Sequence, residues 1–179
     1  MAPKHLTSSV FVFRRFTDGW RTGLIRHPRL HKMMIPGGHV EPEETSAEAA
    51  LREVAEETGL AVTLVSPPAA PVPDGYRGRR VALPWWIAEY QVKPDNHLDV
   101  AHVHVDHLYV ALADGTPPPG AGLPGAAHQF GWYAAGDLPG LDMFDDARLL
   151  ARLLLTGLAD GADATTAAQA LVAGLRGNA

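Results

Sequence analysis

The densest group of potential metal ligands in the chain lies in the stretch GGHVEPEETSAEAALREVAEETGL, from Gly37 to Leu60. It holds seven carboxylates and a single Arg, Arg52; the acids are Glu41, Glu43, Glu44, Glu48, Glu53, Glu56 and Glu57. At about 100° per residue, Glu53, Glu56 and Glu57 fall on one face of a helix. Carboxylates about 5 Å apart in a cleft repel by roughly 3 kcal/mol at an effective dielectric near 20. A divalent cation would remove that cost, and hard oxygen ligands favour Mg²⁺ or Mn²⁺ over Zn²⁺. The spacing alone leaves open a second interpretation, an acidic surface exposed to solvent.

The helix that would carry these acids has recognisable ends. Thr45-Ser46-Ala47-Glu48 is a capping box, and Gly59 fits the position just beyond a helix C-terminus, which predicts a helix over Thr45 to Thr58. A second stripe of the same helix is expected to pack against a sheet. It consists of Ala47, Leu51, Val54 and Thr58.

The stretch resembles the Nudix box, the signature of the Nudix hydrolases. Every fixed position of that motif is matched between Gly38 and Leu60, by Gly38, Glu44, Arg52, Glu53, Val54, Glu56, Glu57, Gly59 and Leu60. The resemblance implies a loop–helix–loop on a mixed sheet between helices. It also implies hydrolysis of a diphosphate linkage in a nucleoside diphosphate derivative, by attack of water at phosphorus, with Mg²⁺ or Mn²⁺.

Roles for individual residues follow from the same resemblance. It implies that Glu53, Glu56 and Glu57 are metal ligands, with the Gly37 carbonyl as an additional ligand. Arg52 would orient Glu53, and Glu44 would sit near the metal or brace the loop. The implied catalytic residues are therefore Arg52, Glu53, Glu56 and Glu44.

The rest of the chain alternates predicted strands and helices, which indicates a mixed α/β class. Leu6 to Phe16 and Trp20 to His27 predict a hairpin around an Asp-Gly turn, and the segment HKMMIPGG predicts a short strand stopped by Pro36-Gly37-Gly38. Further strands are predicted in LAVTLVS, PWWIAEYQV, AHVHVDHLYVAL and QFGWYAA, and a helix in MFDDARLLARLLLTG. A Pro/Gly loop is expected from Asp114 to Ala127. We predict one domain over residues 1–157, followed by an Ala-rich tail or helix over 158–179 that belongs to it or packs against a second copy.

A second metal-binding pattern competes with the first. His102-Val-His104-Val-Asp106-His107 resembles the zinc motif of metallo-β-lactamase-like hydrolases, although that family needs further ligands downstream and only His128 follows among the histidines. On a strand, His102, His104 and Asp106 would share one face and His107 the other. The alternatives are a zinc hydrolase, a strand that lines the Nudix cleft, and histidines satisfied by local hydrogen bonds.

Candidate substrate contacts are Tyr76, Arg77 and Arg79 in a loop after the box, together with His104 and Asp106. Arg side chains can hold a phosphate and Tyr can stack on a base. The alternative, which we prefer for this loop, is a solvated turn.

Composition excludes several classes of protein. The chain has no Cys, which excludes disulfides, a thiolate metal site and the catalytic Cys of isoprenoid diphosphate isomerases of similar fold. The net charge is −5, concentrated in the box, so a surface for a nucleic-acid polymer is not indicated. No apolar run approaches a membrane span. We therefore expect a cytoplasmic enzyme acting on a small molecule, with a non-catalytic nucleotide-sensing module as the alternative.

Overall fold

The computed structural model describes residues 2–95, 97–113, 127–158 and 166–177. In those residues the chain forms eight strands and three α-helices. The strands are β1 (Lys4–Phe16), β2 (Gly19–Arg26), β3 (Met33–Met34), β4 (Gly37–His39), β5 (Val62–Val65), β6 (Trp86–Val92), β7 (His102–Ala113) and β8 (Gln129–Tyr133). The helices are α1 (Ser46–Thr58), α2 (Asp145–Leu158) and α3 (Ala167–Gly177), and a 3-10 turn covers Leu138–Gly140.

All eight strands belong to one mixed sheet built around the parallel pair β1 and β7. The order β3-β2-β1-β7-β5 forms its main path. β4 pairs with the first half of β1, β6 with the first half of β7, and β8 with β2, all antiparallel. This arrangement places the short strand that opens the acidic stretch directly beside the centre of the sheet.

The two faces of the sheet carry separate hydrophobic cores, because successive residues of a strand point to opposite faces. On one face, Val10, Val12, Tyr109 and Ala111 pack with Ala50 and Val54 of α1. On the other face, the core belongs to α2 and α3, and its buried members include Phe11, Phe13, Leu24, Leu108, Val110, Leu154, Leu158 and Leu171. The predicted fold class, a mixed sheet sandwiched between helices, is confirmed.

The ends of α1 agree with the prediction. The Thr45 side chain accepts a hydrogen bond from the Glu48 backbone N–H, the Glu48 carboxylate accepts one from the Thr45 backbone N–H, and the helix begins at Ser46. Gly59 follows the helix with φ 71°, in the left-handed region that glycine adopts without strain. Local sequence therefore determines where the acidic helix begins and ends.

Two details of the predicted packing are wrong. Leu51 is 40% exposed, whereas Ala49 and Ala50 are fully buried, so the buried stripe of α1 lies closer to the carboxylate face than predicted. The helix buries small alanines where it approaches the sheet closely, and the larger Leu51 lies at the edge of the contact. Pro36-Gly37-Gly38 does not simply stop a strand, because β4 begins at Gly37 and pairs with Ser9, Ser8 and Thr7 of β1.

The C-terminal helix is observed from Ala167, and Leu171 is fully buried in the same core as α2. Most of the predicted Pro/Gly loop, from 114 to 126, lies outside the described residues, as do 159–165 and 178–179 of the predicted tail. The division of the chain at residue 157, contact with a second copy and a cytoplasmic location stay predictions. No helix in the described part of the chain has the length and apolar character needed to cross a membrane.

The capping box leads to a first prediction. Thr45→Ala should lower the free energy of unfolding by about 1 kcal/mol, because the backbone N–H of Glu48 loses its acceptor at the start of α1. Thr45→Ser keeps a hydroxyl at the same position and should stay close to wild type. Urea denaturation of the three proteins measures both differences, and equal losses in the two variants would contradict a capping role.

Candidate functional site

The site is built around the guanidinium of Arg52, which contacts three carboxylates and one backbone carbonyl. Its Nη2 donates to Glu44 Oε1 at 2.7 Å and to the His39 carbonyl at 3.0 Å. Its Nη1 donates to Glu53 Oε1 at 2.8 Å and to Glu56 Oε2 at 3.3 Å. Hydrogen bonds to Glu44 raise the pKa of Arg52 above its usual range, and the same bonds lower the pKa of Glu44. Arg52 thus stays charged and holds the carboxylates of the loop and the helix in one place.

Glu57 is held apart from Arg52, on the opposite side of the acidic group. Its Oε2 accepts from the backbone N–H of Gly37 at 3.0 Å, and its Oε1 lies 3.1 Å from His128 Nε2. The pKa of Glu57 is raised to about 8, chiefly by burial; the Gly37 N–H acts in the opposite direction, and the nearby Glu53 and Glu56 add to the rise. The ionised form of Glu57 is therefore disfavoured by the protein alone.

Glycine is required where β4 meets the acidic helix. A Cβ at Gly38 would overlap the Glu53 carboxylate, and a Cβ at Gly37 would overlap the Ser8 carbonyl oxygen and the Ser9 Cα. Gly38 therefore lets the Glu53 carboxylate lie against β4, and Gly37 lets β4 lie close to β1. The side chains of Glu53 and Glu57 are only 13% and 11% exposed, whereas that of Glu56 is 59% exposed.

These residues fit a hard divalent cation. Glu53 and Glu57 reach β4 from one face of α1, and Glu56 lies on the same helix face with its side chain exposed. Glu57 is buried where its ionised form is disfavoured, so a cation beside it would stabilise that form. The oxygen donors are those that Mg²⁺ and Mn²⁺ prefer. Ligation by Glu53, Glu56, Glu57 and the Gly37 carbonyl stays a prediction.

The predicted substrate residues in the loop after β5 lie away from this group. Arg79 Nη2 forms an exposed ion pair with Glu48 Oε1 at 3.0 Å, on an open groove beside Leu51. Tyr76 is 63% exposed, and Arg77 is also exposed. Their contact with a substrate stays a prediction.

The HxHxDH pattern on β7 is divided between different partners. His107 Nδ1 lies 2.8 Å from Ser46 Oγ at the start of α1, whereas Asp106 accepts from Thr7 Oγ1 at 3.0 Å on the other face of the sheet. Burial raises the pKa of Asp106 and lowers that of His107. His102 and His104 face the same side as Asp106 but lie beside Asp95, which belongs to the connection between β6 and β7. The four residues therefore do not surround a single point, and His104 and Asp106 lie across the sheet from α1.

His128 is a site residue that the sequence analysis mentioned but did not place. Besides contacting Glu57, it donates its backbone N–H to the Glu57 carbonyl at 3.3 Å, and Ala127 does the same to the Glu56 carbonyl at 2.9 Å. These bonds join the start of β8 to the last turn of α1. No sequence signal indicates this contact, because about seventy residues separate the two segments.

Comparisons with known proteins agree with this geometry. The family described as NUDIX domain matches residues 4–153. The YtkD protein of Bacillus subtilis (strain 168), named as a candidate 8-oxo-dGTP diphosphatase, is 46% identical over 61 residues, and the match spans about a third of each protein (34% of both). A crystal structure of a NUDIX family hydrolase from Clostridium perfringens superposes with a TM-score of 0.62 at 26% identity, covering 83% of this chain and 93% of that one. The dihydroneopterin triphosphate pyrophosphohydrolase of E. coli has a TM-score of 0.57 at 14% identity, covering 87% and 99%, and so shares the fold.

The raised pKa of Glu57 gives a second prediction. In the folded protein Glu57 keeps its proton up to about pH 8, whereas in the unfolded chain it ionises near the ordinary glutamate pKa of 4.5. Its contribution to stability is thus full below pH 4.5 and is lost as the pH rises through about 8. In EDTA, the free energy of unfolding of Glu57→Gln relative to that of wild type should therefore increase as the pH rises from 5 to 8.

Thermal melting over that pH range measures the difference, which should reach up to a few kcal/mol because one pKa unit corresponds to about 1.4 kcal/mol. The exposed Glu43→Gln is the matched control and should follow wild type. A difference between Glu57→Gln and wild type that does not change with pH would contradict the assigned protonation state.

Proposed function

The chain belongs to the NUDIX domain family, and we propose that it is a pyrophosphohydrolase that cleaves a diphosphate linkage in a nucleoside diphosphate derivative, by attack of water at phosphorus. The observation that carries this proposal is the network in which Arg52 joins Glu44, Glu53 and Glu56 while Gly37 holds Glu57. An exposed acidic surface does not require such an arrangement, in which one half-buried Arg orders carboxylates that otherwise repel one another.

The charge of the site explains why a cation belongs to the function. A diphosphate carries negative charge toward a group of carboxylates, which is unfavourable unless cations lie between them. Glu53, Glu56 and Glu57 would hold Mg²⁺ or Mn²⁺, with the Gly37 carbonyl as a further ligand. When bound, the ion neutralises phosphoryl oxygens and lowers the pKa of a water molecule.

The protein residues have separate tasks in this proposal. Arg52 orients Glu53 through Nη1 and braces Glu44 through Nε and Nη2, so the loop before α1 cannot move independently of the helix. Glu56 is the most exposed of the carboxylates and faces the solvent from which the substrate arrives. His128, the residue before β8, contacts Glu57 and fixes its orientation.

The substrate is proposed only as a chemical class. The name of the Bacillus subtilis protein suggests nucleoside triphosphates with a modified base, but that match covers a third of either chain. Turnover of a panel of nucleotides with Mg²⁺ or Mn²⁺ would identify the leaving group and the base that the protein prefers. The panel should include 8-oxo-dGTP, other nucleoside triphosphates, ADP-ribose and a dinucleoside polyphosphate. Absence of turnover across the panel, with nucleotide binding retained, would favour the nucleotide-sensing alternative.

A third prediction concerns the ligand charges. Glu56→Gln and Glu57→Gln should each abolish most turnover at saturating Mg²⁺ with the fold intact, because each removes a charge from a group built around a cation. Circular dichroism and turnover are the two measurements. Glu43→Gln removes an equal charge from the exposed part of the same stretch and should leave turnover unchanged. Near wild-type turnover in either Glu56→Gln or Glu57→Gln would overturn the metal assignment.

A fourth prediction tests the close approach of β4 and α1. Gly38→Ala should lower turnover by about 100-fold, since the new Cβ displaces the Glu53 carboxylate and a displacement of about 1 Å has that effect on positioned groups. Gly140→Ala is the matched control, because a Cβ there meets nothing within 4 Å. Equal turnover in the two variants would show that the position of Glu53 does not matter for the reaction.

A further inference from the structure

Four side chains on the sheet face opposite α1 form a group of nitrogen and oxygen donors that the proposed reaction does not use. We call His39, Asp95, His102 and His104 the histidine cluster; one donor atom from each lies within 4.8 Å of the others. His102 Nε2 is 3.1 Å from His104 Nε2, and Asp95 Oδ2 is 3.5 Å from the former and 3.9 Å from the latter. A tetrahedral ion with bonds of about 2.0–2.1 Å separates its ligands by roughly 3.3 Å. Three of the four donors therefore already have the spacing of one face of a metal tetrahedron.

The hydrogen bonding of His102 fixes which of its nitrogens is free. Its Nδ1 lies 3.0 Å from the Val100 carbonyl oxygen, which can only accept, so Nδ1 carries the proton. In the neutral ring, Nε2 then presents a lone pair toward His104 and Asp95. A ligating imidazole that donates its other N–H to a backbone carbonyl is the usual arrangement around protein-bound metals. His102 is also fully buried, so its ring is held in that orientation.

His39 supplies a second, independent observation. Its Nε2 is buried without a hydrogen-bond partner, which is costly for a polar atom. Its ring lies 4.8 Å from the His104 ring, centroid to centroid, and 3.8 Å from the His97 ring. A ligand for Nε2 would satisfy the orphaned atom, and full tetrahedral geometry requires the His39 ring to move toward the other three donors.

We propose that the histidine cluster is a transition-metal site, selective for Zn²⁺ over Mg²⁺, separate from the carboxylates of the box. Three imidazole nitrogens and one carboxylate oxygen match the ligands of tetrahedral zinc, and Mg²⁺ prefers six oxygens. The predicted HxHxDH motif contributes two of these ligands, whereas the other two come from β4 and from the connection between β6 and β7.

The two sites lie back to back on β4. A Cβ at Gly38 would face Glu53, so the next residue, His39, directs its side chain to the other face of the sheet. The His39 carbonyl nevertheless accepts from Arg52 Nη2. Zinc at the cluster would therefore join β4, β7 and the segment around Asp95, and would stabilise the strand that carries the box glycines.

Zinc binding to the untagged, full-length protein tests this proposal without any activity assay. After EDTA treatment and exchange into buffer with excess Mg²⁺, titration calorimetry should show one equivalent of Zn²⁺ bound to wild type. Co²⁺ added in place of Zn²⁺ should give the visible absorption of a tetrahedral ion. Absence of zinc binding in excess Mg²⁺, or the spectrum of six-coordinate Co²⁺, would overturn the proposal.

Variants locate the site. Asp95→Asn and His104→Gln should each weaken zinc binding by about tenfold or more, since even changes outside the ligand shell cost that much. Asp95→Asn keeps an oxygen to accept from His97 and Leu98, which preserves the turn. Asp99→Asn and His31→Gln are the matched controls and should bind zinc like wild type.

Glu57→Gln distinguishes the two metal sites. It should retain zinc binding while losing turnover, so the zinc site and the proposed hydrolase are judged by separate measurements. Zinc binding that disappears in Glu57→Gln, or that is unchanged in both Asp95→Asn and His104→Gln, would place the ion elsewhere and overturn the proposal.

Discussion

The guanidinium of Arg52 is the contact on which the arrangement of the acidic helix depends. Like charges on neighbouring helical turns repel, and a helix carrying Glu53, Glu56 and Glu57 would otherwise turn those residues toward solvent. Arg52 offers several donors in a fixed plane, and it uses them on Glu44 from the loop, Glu53 and Glu56 from the helix and the His39 carbonyl from β4. One side chain thereby connects the loop before α1, the helix α1 and the strand β4. Lys could not replace it, because a single ammonium group cannot reach these acceptors in their different directions.

The central sheet divides the chemistry of the protein into two sides. On the α1 side, Ser46 Oγ lies 2.8 Å from both Tyr109 OH and His107 Nδ1, which ties the start of the acidic helix to β7. On the other side, the alternate residues of β7 carry His102, His104 and Asp106. Because successive residues of a strand point to opposite faces of the sheet, the side chains of this continuous motif lie in two different environments. If both proposals hold, this separation would let one small domain bind two kinds of metal ion on opposite faces of the sheet.

Sequence predicted what is determined locally. The capping box, the glycine after the helix and the spacing of the acids all lie within a few residues of one another, and the structure reproduces the helix that they define. The exposure of Leu51 could not be predicted in the same way, because it depends on how closely α1 approaches the sheet. The contacts of Glu57 with His128 and of His104 with Asp95 depend on which distant segments meet, and no local pattern records this. The HxHxDH motif shows the limit most clearly, since the pattern groups His102 and His104 with Asp106 and His107, whereas the structure places them beside His39 and Asp95.

The central claim is that the carboxylates ordered by Arg52 hold a divalent cation. Anomalous diffraction from crystals soaked in Mn²⁺, recorded near the manganese edge, tests it directly because the signal marks the ion itself. The account predicts a strong peak among Glu53, Glu56 and Glu57, on the α1 side of the sheet, and no comparable manganese peak at His39 and His104. A manganese peak confined to the histidines, or no peak beside Glu57 at saturating Mn²⁺, would contradict it.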